Sequence, residues 1–93
     1  MDINGFDWDA GNWPKCGKHG VTRKEIERLF FEGRARIAPD LKHTMPQEGR
    51  YIAVGRINGR PVFVAFVLRG NLIRPVSARY MHEKEAKRYE KST

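Results

Sequence analysis

Apolar and polar positions alternate with period two through most of residues 50–80, and recur with helical spacing around residues 22–30. The first pattern predicts three strands. Arg50–Ile57 turns at Asn58-Gly59, a strong hairpin signal. Arg60–Arg69 contains the apolar run Pro61–Leu68 (PVFVAFVL) and turns at Gly70-Asn71. Leu72–Arg79 completes an antiparallel meander. The second pattern predicts a helix buried along one side, with Ile26, Leu29 and Phe30 as its stripe. Thr22-Arg23-Lys24-Glu25 is its capping box, Val21 and Ile26 sit at the staple positions, and Gly33 stops it.

The remaining segments carry shorter signals. Phe6-Asp7-Trp8-Asp9 alternates and reads as a short strand. Asn12 to Lys18 is expected to form a short helix, with Asn12 as cap, Trp13 as first helical residue and Pro14 in the first turn. Gly20 ends it in the left-handed conformation. Arg34–Ala38 can form a strand, leading into a loop at Pro39–Gly49 that carries Asp40, His43, Pro46 and Glu48. Met81–Lys91 alternates in charge and is expected to be helical. The whole chain, residues 1–93, is read as one α+β domain. It should comprise a small antiparallel sheet, a three-stranded meander plus one or two N-terminal strands. Two N-terminal helices should pack on one face, with a C-terminal helix besides.

Two-residue turns pair Arg50 with Val67, and Val67 with Arg74. One sheet face then carries Arg50, Ile52, Val54, Arg56, Phe63, Ala65, Val67, Arg69, Arg74, Val76 and Ala78. The other carries Tyr51, Ala53, Ile57, Val62, Val64, Phe66, Leu68, Ile73, Ser77 and Arg79, is more apolar, and should lie under the helices. Arg50 and Arg74 would stand two strands apart, roughly 10 Å, on the exposed face. Arg79 has the opposite parity, but twist or a bulge near the strand end could redirect it. Pro75 lacks an N–H, so its strand should be an edge or be bulged there.

Composition narrows the function. The formal charge is +7 and the pI near 10.0, which points to a polyanionic partner. Residues 1–49 balance eight Lys/Arg against eight Asp/Glu, so the whole excess falls on residues 50–93. No run approaches the roughly 18 apolar residues of a membrane span, so no membrane role is expected. The acidic start, MDINGFDWD, lacks the apolar core of a secretory signal. A single cysteine, Cys16, excludes an internal disulfide and fits a reducing cytoplasm.

Guanidinium groups bind phosphate through paired donors, which makes Arg50 and Arg74 the first candidates for a phosphate grip, with Arg56, Arg69 and Arg79 beside them. Lys18-His19-Gly20 sets an ammonium beside an imidazole, a pair suited to proton transfer, or else an ordinary basic turn after a helix. Glu48-x-Arg50 opens the meander and reads either as part of the site or as an exposed ion pair of small worth. His43 and His82 read as surface residues, and three scattered histidines make a zinc site unexpected. Tyr80 and Tyr89 read as core-finishing residues. There is no phosphate-cradling glycine loop and no nucleophile elbow, so no metal or other cofactor is expected.

Several of these pieces coincide in order and spacing. They are Trp8-Asp9, Asn12, Lys15, Lys18-His19-Gly20-Val21, Glu25-Ile26-Glu27, Glu48-x-Arg50 running to Gly55, Ile73-Arg74, Ser77-Ala78-Arg79, Glu85 and Tyr89. Together they resemble the BrnT family of bacterial toxins over nearly the whole chain. Pro75 departs from the β-branched aliphatic residue that similar sequences carry. The resemblance implies a RelE-like fold and a cytoplasmic endoribonuclease of a type II toxin-antitoxin system. It would cut RNA, messenger RNA among the candidates, without a metal, using the neighbouring 2′-hydroxyl as nucleophile. It implies a BrnA-type antitoxin as partner, with operator DNA engaged only through that complex. In that setting Arg50, Arg74 and Arg79 would hold phosphates, with Arg56 and Arg69 nearby. Lys18 or His19 would move protons, with Glu48 as a base. The alternatives are a non-catalytic basic nucleic-acid-binding module and a protein-interaction module.

Overall fold

The computed structural model describes residues 4–32, 35–42 and 48–91. Its elements are β1 (Gly5–Phe6), α1 (Arg23–Phe31), β2 (Arg36–Pro39), β3 (Arg50–Ile57), β4 (Arg60–Arg69), β5 (Leu72–Tyr80) and α2 (Glu83–Lys91). A 3₁₀ turn at Lys15–Gly17 precedes α1. The strands form one five-stranded sheet in the order β1-β5-β4-β3-β2. It is mixed, since β1 runs parallel to β5 while all other pairs are antiparallel. The fold is therefore α+β, but with a single N-terminal α-helix where two were expected. Among the described residues no helix is long and apolar enough to cross a membrane.

The missing helix has a cause in the bonds of Asn12. Asn12 does not cap anything. Its side-chain amide donates to the carbonyls of Asp7 and Pro75, both at 2.9 Å, and its side-chain oxygen accepts from the Asp9 N–H. The Asn12 and Trp13 N–H groups both fold back to the Asp9 carbonyl, and the Trp13–Pro14 peptide is cis. What remains is the three-residue turn. The first strand also ends early, at Phe6 instead of Asp9, and the Asp7 N–H makes one further bond to the Ile73 carbonyl of β5. Gly20 does take a positive φ of 96°.

The meander matches its predicted register through most of its length. Arg50 faces Val67, and Val67 faces Arg74. Asn58 and Gly59 both adopt positive φ, as their hairpin turn requires. β5 departs from the simple pairing at one place. Phe66 faces Pro75 and Ala65 faces Ser77, so Val76 is an extra residue in a β-bulge. The site suits proline. β1 stops opposite Ile73, so Pro75 needs no donor on that side, and Asn12 takes its carbonyl. Beyond the bulge the parity inverts. Ser77 and Arg79 turn to the outer face, and Ala78 to the core, the reverse of the unbroken pairing.

The principal core lies on the face predicted to be apolar. Val62, Val64, Phe66, Ile73 and Ala78 pack there with Ile26 and Leu29 of α1, Val21 and Cys16. The capping box of α1 is complete: the Thr22 hydroxyl accepts from the Glu25 N–H, and Glu25 accepts from the Thr22 N–H. Thr22→Ala should therefore lower stability by about 1 kcal/mol, measured by chemical denaturation. The predicted stop at Gly33, the start of a strand at Arg34, and His43 and Pro46 of the following loop lie outside the described residues.

The other face is not wholly open. Met81, Ala86 and Tyr89 of the C-terminal segment pack on Val54 and Phe63, so α2 covers its β3–β4 half near the hairpin tip. Met81 itself precedes the helix, and its N–H donates to the Pro61 carbonyl.

Candidate functional site

The bulge brings all five arginines singled out above to one face of the sheet. They form two groups. Arg50, Arg69 and Arg74 stand where β3 begins, β4 ends and β5 begins. Arg56 and Arg79 stand at the other end, beside α2. Arg79 faces Phe63, which faces Val54, four residues along β3 from Arg50. That places the two backbone positions roughly 13 Å apart along the strand direction, too far for one phosphodiester.

Every one of these arginines already has a carboxylate. Arg74 holds Asp9 through two bonds of 3.0 Å and lies 3.5 Å from Asp7. Arg50 lies 3.6 Å from Asp40. Arg69 donates to Glu48 at 2.6 Å, so the proposed base is engaged by a neighbouring arginine. Arg56 binds both Glu83 and Glu90 of α2 and the Gly59 carbonyl. Arg79 holds Glu85 in a fork of 2.8 and 2.9 Å, with its guanidinium 4.5 Å from the centre of the Phe63 ring. Five arginines thus meet seven carboxylates, so none of the five offers an uncompensated charge.

These pairs set the titration of the acids. The bond from Arg79 holds Glu85 below its ordinary value of 4.5. Arg56 does the same for Glu83 and Glu90. The bond from Arg74, then that from the Gly11 N–H, holds Asp9 down. Folding thus favours the ionised forms. Their contribution is complete above a pH of about 4.5 and is lost as acid protonates them. The melting temperature should fall on titration below that pH. In Glu83→Gln/Glu90→Gln it should start lower and fall less steeply.

Lys18 and His19 lie elsewhere. They follow the 3₁₀ turn, whose Cys16 belongs to the core on the opposite side of the sheet. Both are exposed. Among the described residues neither is hydrogen-bonded or ion-paired to Arg50, Arg74 or Arg79. Their turn is tied to the end of β5 instead. The Tyr80 hydroxyl lies 3.4 Å from the Gly20 carbonyl and 3.0 Å from each carboxylate oxygen of Glu25. Burial pushes Glu25 up, yet the bonds from the Thr22 N–H and the Tyr80 hydroxyl together hold it below its usual range. Burial and the Glu25 carboxylate raise Tyr80.

Sequence reasoning missed the partners. One signal was present: Glu83 and Glu90 are seven residues apart, on the same side of a helix. Nothing local pointed to Asp7 and Asp9 meeting Arg74.

No curated protein matches the chain. A family profile does, the one described as "Ribonuclease toxin, BrnT, of type II toxin-antitoxin system", over residues 8–85. That span runs from Trp8 to Glu85 and takes in β2–β5, α1, the Lys18-His19 turn and the Arg79–Glu85 fork, and the chain belongs to the BrnT ribonuclease toxins.

Proposed function

We propose that the chain arrests bacterial growth by cutting RNA through the neighbouring 2′-hydroxyl, in the manner of RelE-type toxins. The 2′-oxygen attacks the adjacent phosphorus and gives up its proton. The bond to the 5′-oxygen breaks, and that oxygen takes a proton. The nucleophile is the substrate's own, so the protein's task is charge and proton management. Arg79 and Arg50 stabilise charge on the phosphorane and a nearby phosphate. Arg56, Arg69 and Arg74 line the path. His19 or Lys18 moves a proton, and Glu48 serves as base once Arg69 turns to phosphate. The carboxylates on these arginines are counter-ions that the RNA displaces. A BrnA-type antitoxin masks the toxin in the cytoplasm, and operator DNA is met only through that complex.

The family match over residues 8–85 carries this reading. The outward turn of Arg79 at the bulge supports its role. The test is an incubation of purified protein with RNA and with DNA of the same sequence, in excess chelator. The RNA should be cut and the DNA should survive, because only RNA has the 2′-hydroxyl. Cleavage of both, or a metal requirement, would refute the mechanism.

A further inference from the structure

The charge excess assigned by sequence to the strands is cancelled where those strands meet carboxylates. Cations outside those pairs gather at the edge formed by the 3₁₀ turn, the start of α1 and the β3–β4 hairpin. Lys15, Lys18, Arg23, Lys24 and Arg60 are all exposed there. Among the described residues none of the five is in an ion pair. The nearby acids, Glu25 and Glu27, are bonded to Tyr80 and Trp8.

Two of the cations are held by rings. The Arg60 guanidinium lies 3.4 Å from the centre of the Tyr80 ring, and that of Arg23 lies 5.3 Å from the Trp13 ring. The contacts are continuous. Tyr80 reaches Gly20 and Glu25, and Glu25 caps the helix that starts at Arg23. A stacked guanidinium is fixed in orientation yet keeps its full charge and its outward N–H edge. A carboxylate-bound one has spent both. The stacked pair is thus ready for phosphate without an exchange of partners.

We propose that this surface is the docking site for the substrate strand, binding the phosphates of single-stranded RNA upstream or downstream of the cut. The assignment rests on the ribonuclease reading and adds where the strand is held. Tyr80 follows Arg79 in β5, so an RNA lying on Arg60 and Lys18 reaches the end of the strand that carries Arg79. A rival row of exposed cations, Lys84, Lys87, Arg88 and Lys91, lies on α2. Among the described residues no ring holds its arginine. The ring-held guanidiniums favour nucleic acid over an acidic protein at the first surface.

The test uses a short 2′-O-methyl oligoribonucleotide, which cannot supply the nucleophile, and follows its anisotropy against salt. Arg23→Ala/Arg60→Ala should reduce the slope of log K against log salt by about 1.4, two contacts at roughly 0.7 each, and weaken binding on the order of 20-fold near 0.1 M salt. Lys15→Ala/Lys24→Ala, which touches neither ring, should behave similarly, with unfolding unchanged. Lys84→Ala/Lys87→Ala should retain both slope and affinity. Wild-type slopes in the first two variants, or loss confined to the α2 variant, would overturn the proposal. So would loss of antitoxin binding with RNA binding intact. Cleavage of ordinary RNA by the wild type separates the cases. If the wild type cuts and the patch variants bind normally, only the docking site is wrong. If it neither binds nor cuts, the ribonuclease reading falls as well.

Discussion

Arg79→Ala should lower RNA cleavage about 100- to 1000-fold, the effect of removing one donor to developing charge, or roughly 2.7–4 kcal/mol in the barrier. The fold should survive the change. Arg79 is part-exposed, and an ion pair of this kind adds little to stability. The loss should therefore appear in single-turnover cleavage of labelled RNA, with the denaturation midpoint nearly unmoved. Arg50→Ala should show the same pattern if the two residues grip neighbouring parts of one strand. Conditional expression gives the cellular counterpart: growth arrest with RNA decay in the wild type, and neither with Arg79→Ala. Wild-type rates from both variants would remove the sheet face from the mechanism.

The largest effect on stability is expected from Phe66→Ala, at about 3–5 kcal/mol. Phe66 is fully buried at the centre of β4. Its ring meets Phe30 of α1 edge-on at 5.1 Å and stacks against Tyr51 of β3 at 5.6 Å. One side chain thus joins the helix to two strands. Truncation removes apolar burial, leaves a cavity under α1 and breaks both aromatic contacts, each worth roughly 0.5–1.5 kcal/mol beyond burial. A domain of this size has only about 5–15 kcal/mol in total, so the variant should unfold at markedly lower denaturant. Phe66→Leu, which keeps much of the volume, should cost distinctly less. Equal losses in the two variants would show that the site collapses around any smaller residue.

Much of this architecture was legible because it is written in local rules. Asn58-Gly59 fixes the first hairpin, and with it the pairing of Arg50 with Val67. Thr22 and Glu25 mark the start of α1. Pro75 signalled an irregular strand, and the bulge is at the next residue. What could not be read was non-local. Asn12 looks like a helix cap until Pro75, far away in sequence, takes its amide. The placement of α2 on the arginine face depends on Met81, Ala86 and Tyr89 finding Val54 and Phe63, a match that neither segment announces alone. For the candidate site, residue types were legible but their electrostatic state was not. Charge counted along the chain put the excess on the strands. Charge counted in space offsets part of it, because acids from the N-terminal half fold onto the same arginines.

The bulge has one more implication. A pleated ribbon has two sides, and a single supernumerary residue, Val76, decides which of them the last four residues of β5 address. A ladder that paired Val76 without a break would leave composition, charge and hairpin turns untouched. It would nonetheless swing the Arg79 guanidinium inward against aliphatic neighbours and push the Tyr80 ring out toward water. Both the chemistry and the packing of this end of the molecule hang on an odd number.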